Sequence, residues 1–113
     1  MLLQSEMHIE EEKIEWEKVD DKVRRKILGF NDKIMMVKVE FQTGGIGYVH
    51  KDPHSQVTYV ESGKFDVQIG NEKKVLKGGD CFFIPPDIEH GVVNFEGGIL
   101  IDVFSPMRED FIK

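Results

Sequence analysis

The chain has one cysteine, one tryptophan, four prolines, little helical periodicity and no apolar run of membrane-spanning length. Each scarcity closes off a class of protein. A lone Cys81 cannot form an internal disulfide, so nothing points to an oxidising compartment. The opening MLLQSEMHIEEE is too acidic and too briefly apolar to read as a secretory leader, and a cytoplasmic protein is expected. Without a spanning run, no membrane partner is expected. Positive charge is thin as well. The formal net charge is −6, and outside Lys73, Lys74 and Lys77 the basic residues are scattered. Nucleic acid needs a basic stripe for its phosphates, so it is not expected as a partner.

What is present is a β pattern in a chain of 113 residues, long enough for one core and little more. Val37, Val39 and Phe41 alternate with Lys38 and Glu40 in Ile34–Phe41, the period of a half-buried strand. Two short strands are expected before it, over Ile14, Trp16 and Val19 and over Val23, Ile27 and Leu28, broken at Asp20-Asp21 and at Gly29. After Gly47–His50, further strands are expected at Gln56–Glu61, Lys64–Ile69, Lys73–Lys77, Cys81–Ile84, Gly91–Phe95 and Ile99–Phe104. Between them lie Ser62-Gly63, Gly70-Asn71, Gly78-Gly79-Asp80, Pro85-Pro86-Asp87 and Gly97-Gly98, which read as turns. Strands at intervals of about ten residues predict an all-β sandwich or barrel in one domain. Residues 1–12 are expected to be a flexible tail or an edge strand given to a neighbouring subunit, and 13–113 the barrel. Pro106 to Lys113 reads as one terminal helical turn.

The chemistry concentrates in two runs, GYVHKDPHSQVTYVESGKFDVQIG from Gly47 and GGDCFFIPPDIEHGVVN from Gly78. His50, Asp52 and Gln56 share strand parity and so face one side, expected to be the barrel interior. His90 opens a later strand beyond Pro85-Pro86, a bend able to aim it at the same point. Two imidazoles, a carboxylate and an amide oxygen suit one divalent ion such as Zn, Mn, Fe(II), Ni or Co. A single histidine such as His50 is as readily an ordinary core or surface residue, and His54 competes with Asp52 for the third position. Cys81 is expected to be a small buried residue. Phe82, Phe83, Phe104, Tyr48 and Tyr59 are expected in the core, with Tyr48 and Phe104 also in phase with the cavity.

The two runs together resemble the paired motifs of the cupin superfamily. Gly44 or Gly45 before His50, then Gln56, Gly63 and Gly70, follow its first motif; Gly79-Asp80, Pro85, His90 and Asn94 follow its second. Asp52 stands where most members carry a second histidine. The ending Asp102-Val-Phe-Ser-Pro-Met-Arg108-Glu-Asp-Phe111 narrows the resemblance to the small cupins of bacterial pectin and alginate breakdown that linearise unsaturated uronates. That resemblance implies a double-stranded β-helix, or jelly roll, and a metal held by His50, Asp52, Gln56 and His90. It implies Asp102 as general acid or base, and Arg108 as the fork for a uronate carboxylate; the parity of Tyr48 and Phe104 makes them candidates to line the sugar. It equally leaves Asp102 as a structural partner of a ligand's N–H and Arg108 as part of a surface ion pair with Glu109-Asp110. The expected activity is metal-dependent, redox-neutral opening of a small sugar acid by a homodimer. The rival readings are an Fe(II) dioxygenase using the same two-histidine, one-carboxylate face, and a non-catalytic sugar-acid binder.

Overall fold

The computed structural model describes residues 3–112, in eight strands and two short 3₁₀ turns. The strands are β1 (Glu17–Asp20), β2 (Val23–Asn31), β3 (Ile34–Phe41), β4 (Ile46–His50), β5 (Ser55–Ile69), β6 (Glu72–Lys77), β7 (Cys81–Ile84) and β8 (His90–Ser105). The expected all-β domain is present, and the expected terminal helical turn is the 3₁₀ turn Glu109–Phe111.

Two long antiparallel strands carry the architecture. β5 pairs with β8 from Ser55↔Ser105 to Ile69↔His90, through bulges at Val60–Ser62, Ser62–Lys64 and Lys64–Phe65. On one side of the bulges, β7 joins β5, and β3, β2 and β1 extend outward from β8. On the other side, β6 joins β5 and β4 joins β8. The strands therefore form two faces linked by β5 and β8, and the pairing path does not close into a ring.

Two of the expected turns are in fact the middles of these strands. Ser62-Gly63 and Gly97-Gly98 lie opposite one another where β5 and β8 cross between the faces. Gly63 has φ +86°, and a Cβ there would sit 2.6 Å from the Glu96 carbonyl oxygen, so only glycine lets the two backbones pass. The bulge also shifts the inward parity of β5. Gln56, Thr58 and Val60 are buried before it, Phe65 and Val67 after it. Gly29 likewise does not end β2, which runs through a bulge to Asn31.

The main core packs Val23, Phe41, Val60, Phe65, Phe82, Ile84 and Leu100 between the faces. A second cluster of Met35, Val37, Phe104 and Met107 closes one end, with Phe111 and Ile112 of the C-terminal segment against it. The N-terminal segment lies over β2: the Ser5 amide donates to the Phe30 carbonyl, and the Glu11 carboxylate accepts from Lys26 and Lys38.

Four burial expectations are corrected. Cys81 and Phe83 are exposed because Phe82 and Ile84 take the inward phase of β7, and Tyr59 points outward between buried Thr58 and Val60. Tyr48 is 70% exposed, although it borders the cavity mouth.

Candidate metal centre

The ends of β4, β5 and β8 meet at one mouth of the molecule. His50 closes β4 and pairs with His90, the first residue of β8, which in turn pairs with Ile69. Two loop contacts fix their approach. The Asp87 amide donates to the Asp52 carbonyl at 2.7 Å, and the Gly70 amide donates to the Glu89 carbonyl at 2.7 Å. Asp87 makes the first contact from the left-handed region, φ 63°, at the end of the Pro85-Pro86 bend.

Ligand-competent atoms of His50, Asp52 and His90 all lie within 4.8 Å of one another. The two imidazole centroids are 4.5 Å apart. Each ring donates Nδ1–H to a backbone carbonyl two residues before it, His50 to Tyr48 and His90 to Ile88, both at 2.9 Å. These bonds fix the tautomer and leave both Nε2 lone pairs for a ligand, the second-shell arrangement of metal-binding histidines. Burial pushes the His90 imidazole below its ordinary pKa, against the upward pull of the bond to Ile88, and this keeps the ring neutral as a ligand must be. Asp52 is largely buried, with Oδ1 accepting from the His54 amide at 3.0 Å and Oδ2 3.4 Å from His50 Nε2. His54 is turned away, donating Nδ1–H to the Pro106 carbonyl at 3.1 Å.

Gln56 and Asp102 line the same cavity, whose volume is about 220 Å³. Thr58 Oγ1 donates to Asp102 Oδ1 at 2.7 Å and accepts from Gln56 Nε2 at 2.9 Å. That chain commits the Gln56 nitrogen and leaves its amide oxygen as the group able to join a cation. The two imidazoles and the Asp52 carboxylate therefore fit one divalent ion.

Burial raises the Asp102 carboxyl from an ordinary 3.8 to about 6, offset in part by the Thr58 hydroxyl, the Arg108 charge and the Gln56 amide. Arg108 lines the cavity beside it, with Nη1 3.5 Å from Asp52 Oδ2 and a two-pronged pair to Asp110. Asp52 thus connects the histidine pair to the guanidinium. Phe104, buried in the second core cluster, supplies another cavity wall.

A Cupin domain family model matches residues 37–103, which include both motif runs and end just before Phe104, Arg108 and Asp110. The chain belongs to the cupin family. Among its relatives, this cupin is 48% identical over 99 residues to the pectin degradation protein KdgF of Dickeya dadantii (strain 3937), covering 86% of this chain and 90% of that one. The crystal structure of an RmlC-like cupin from Shewanella frigidimarina NCIMB 400 superposes with TM-score 0.94 at 50% identity, over 96% of this chain and 98% of that chain. KdgF from Halomonas sp. superposes with TM-score 0.91 at 34% identity, over 96% and 100%.

Three groups around the cavity escaped the sequence reading. Thr58 had a legible signal, since it shares the inward parity of Gln56. Arg25 of β2 had none, and Phe111, although part of the ending that carries the resemblance, was given no place at the cavity. Both reach the cavity, and the Arg25 guanidinium lies 3.8 Å from the Phe111 ring centroid.

Proposed function

We propose that this cupin opens cyclic 4,5-unsaturated uronates to linear keto acids, with one divalent ion held by His50, Asp52, Gln56 and His90. The observation that carries the reading is the Asp102 carboxyl, its pKa lifted by burial to about 6, lining one cavity with His50, His90 and the Arg108 guanidinium, with Asp52 close to both histidines. The Dickeya dadantii relative is named for pectin degradation and the Halomonas relative shares its name, KdgF, which supports the sugar-acid class.

The substrate is an enol ether closed into a ring through a hemiacetal. Opening removes the anomeric hydroxyl proton, breaks the bond between the anomeric carbon and the ring oxygen, and leaves an aldehyde and an enolate. The enolate becomes a ketone when its β-carbon gains a proton. One proton leaves and one returns, so a single carboxyl can serve both transfers. Asp102, at a pKa of about 6, is ionised enough near neutral pH to accept and acidic enough to donate, a role worth on the order of 10² to 10⁴ in rate. Arg108 binds the substrate carboxylate in a planar fork that lysine cannot copy. Phe104 covers the sugar's apolar edge, with Tyr48 at the mouth. A bound cation supplies Lewis-acid stabilisation of the oxyanion that develops on ring opening.

The test is loss of the ring chromophore of unsaturated galacturonate or mannuronate with purified protein. Acceleration over buffer is expected when the native metal is present. No acceleration with Zn, Mn, Ni and Fe(II) each supplied in turn would end the proposal. A second reading, an Fe(II) dioxygenase, is favoured by the two-histidine, one-carboxylate face alone. Oxygen uptake separates the two, because ring opening consumes none.

We also propose a homodimer. On the outer face Phe83, Val57, Val103 and Met36 form one apolar row across β7, β5, β8 and β3, and a second copy would cover it.

A further inference from the structure

The Arg108 guanidinium is held along most of its perimeter. Its Nε and Nη2 donate to the two carboxylate oxygens of Asp110, at 3.0 and 2.8 Å, and Nη1 reaches Asp52 at 3.5 Å. Its central carbon lies 5.2 Å from the Phe104 ring centroid and 4.4 Å from that of Phe111. The two rings meet edge to face, so the guanidinium sits in the corner between them. Asp110 follows two residues later in the Glu109–Phe111 turn and is the solvent-side partner: its side chain is 58% exposed, that of Arg108 only 14%.

A guanidinium offers two edges that can grip a carboxylate with parallel N–H groups. Asp110 occupies the Nε/Nη2 edge. The Nη1/Nη2 edge, touched only by the long 3.5 Å contact from Nη1 to Asp52, is the one no carboxylate grips with both prongs, on a side chain that lines the cavity. We propose that Asp110 is a positioning residue: it clips Arg108 so that the Nη1/Nη2 edge is presented to the carboxylate of an acidic sugar. The inference rests on the carboxylate-binding role given to Arg108 above and adds the group that aims it.

The alternative for Asp110 has the opposite sign. A carboxylate already on the fork could compete with the ligand, in which case removing it would tighten binding. The geometry favours aiming, because Asp110 takes the outer edge and because an unclipped arginine must be ordered anew each time a ligand binds. That ordering corresponds to about a three- to tenfold change in affinity.

The experiment titrates saturated galacturonate, which cannot react, into the full chain as purified and into Asp110→Ala, Asp110→Glu and Arg108→Ala, by calorimetry. Solvent exchange of the Arg108 Nε–H is followed by nitrogen-15 NMR in the first three. Asp110→Ala is expected to bind about three- to tenfold more weakly, with fast Nε–H exchange. Asp110→Glu is expected to restore both. In turnover, Asp110→Ala should raise KM more than it lowers kcat. Binding by Asp110→Ala equal to or tighter than wild type, beside a weakened Arg108→Ala, would overturn this inference alone. Unweakened binding by Arg108→Ala would overturn the Arg108 role together with it.

Discussion

Replacing Asp102 by asparagine should stabilise this cupin at neutral pH, and the size of the gain follows from the carboxyl's environment. Burial holds its pKa at about 6 against an ordinary 3.8. The folded chain therefore binds the Asp102 proton more tightly than the unfolded chain does. The associated stability is fully present below pH 3.8 and is lost as pH rises through 6. At about 1.36 kcal/mol per pKa unit, ionisation of this one group costs the folded state about 3 kcal/mol above pH 7. Asparagine removes that cost while keeping an oxygen to accept from Thr58. Since the amide must itself be buried, the figure is a ceiling. With an unfolding entropy of about 2.1 cal/mol/K per residue, the ceiling corresponds to roughly 12 °C in Tm for 113 residues. The assay is urea unfolding of wild type and Asp102→Asn in a chelator from pH 4 to pH 8. The variant's advantage should grow with pH and level off above 7. An advantage independent of pH, or a variant less stable at pH 8, would refute the argument.

Other outcomes follow from the same geometry. Thr58→Val removes a hydroxyl that lowers the Asp102 pKa, so the acidic limb of kcat against pH should move to higher pH. Single substitutions His50→Ala and His90→Ala should each abolish stoichiometric metal uptake by elemental analysis, whereas His54→Ala should leave it intact, because His54 faces Pro106. Gly63→Ala should destabilise by at least ~1–3 kcal/mol in urea, because it forces a side chain into φ +86° against the Glu96 carbonyl. If Phe83 lies between two copies, Phe83→Glu should yield monomers by sedimentation at micromolar concentration, with the fold retained by circular dichroism.

Period-two alternation made the strands legible, and Gly-Asp and Pro-Pro punctuation made most loops so. It misled where glycine serves a crossing: Ser62-Gly63 and Gly97-Gly98 look like hairpin turns, yet they let β5 and β8 pass between faces without ending. Only long-range pairing distinguishes the two cases. The parity that placed Gln56 inward also placed Thr58 there, and the same rule should have sent Tyr59, Cys81 and Phe83 outward. The meeting of His50 with His90 was legible as a motif pair, while its rigidity was not, since it depends on carbonyls of Tyr48 and Ile88 and on the Asp87 amide. Arg25 and Phe111 lie at opposite ends of the chain and no local pattern joins them.

The two bent strands also determine how this protein can be taken apart. β5 and β8 each contribute to both faces, so neither face is a module that could be excised, swapped or duplicated without severing the other's central ladder. Gene fragments divided between the faces would yield two incomplete sheets rather than two half-sites. Diversification of such a scaffold is thereby directed away from its interior seam and toward the mouth, where short loops can vary while the frame stays whole.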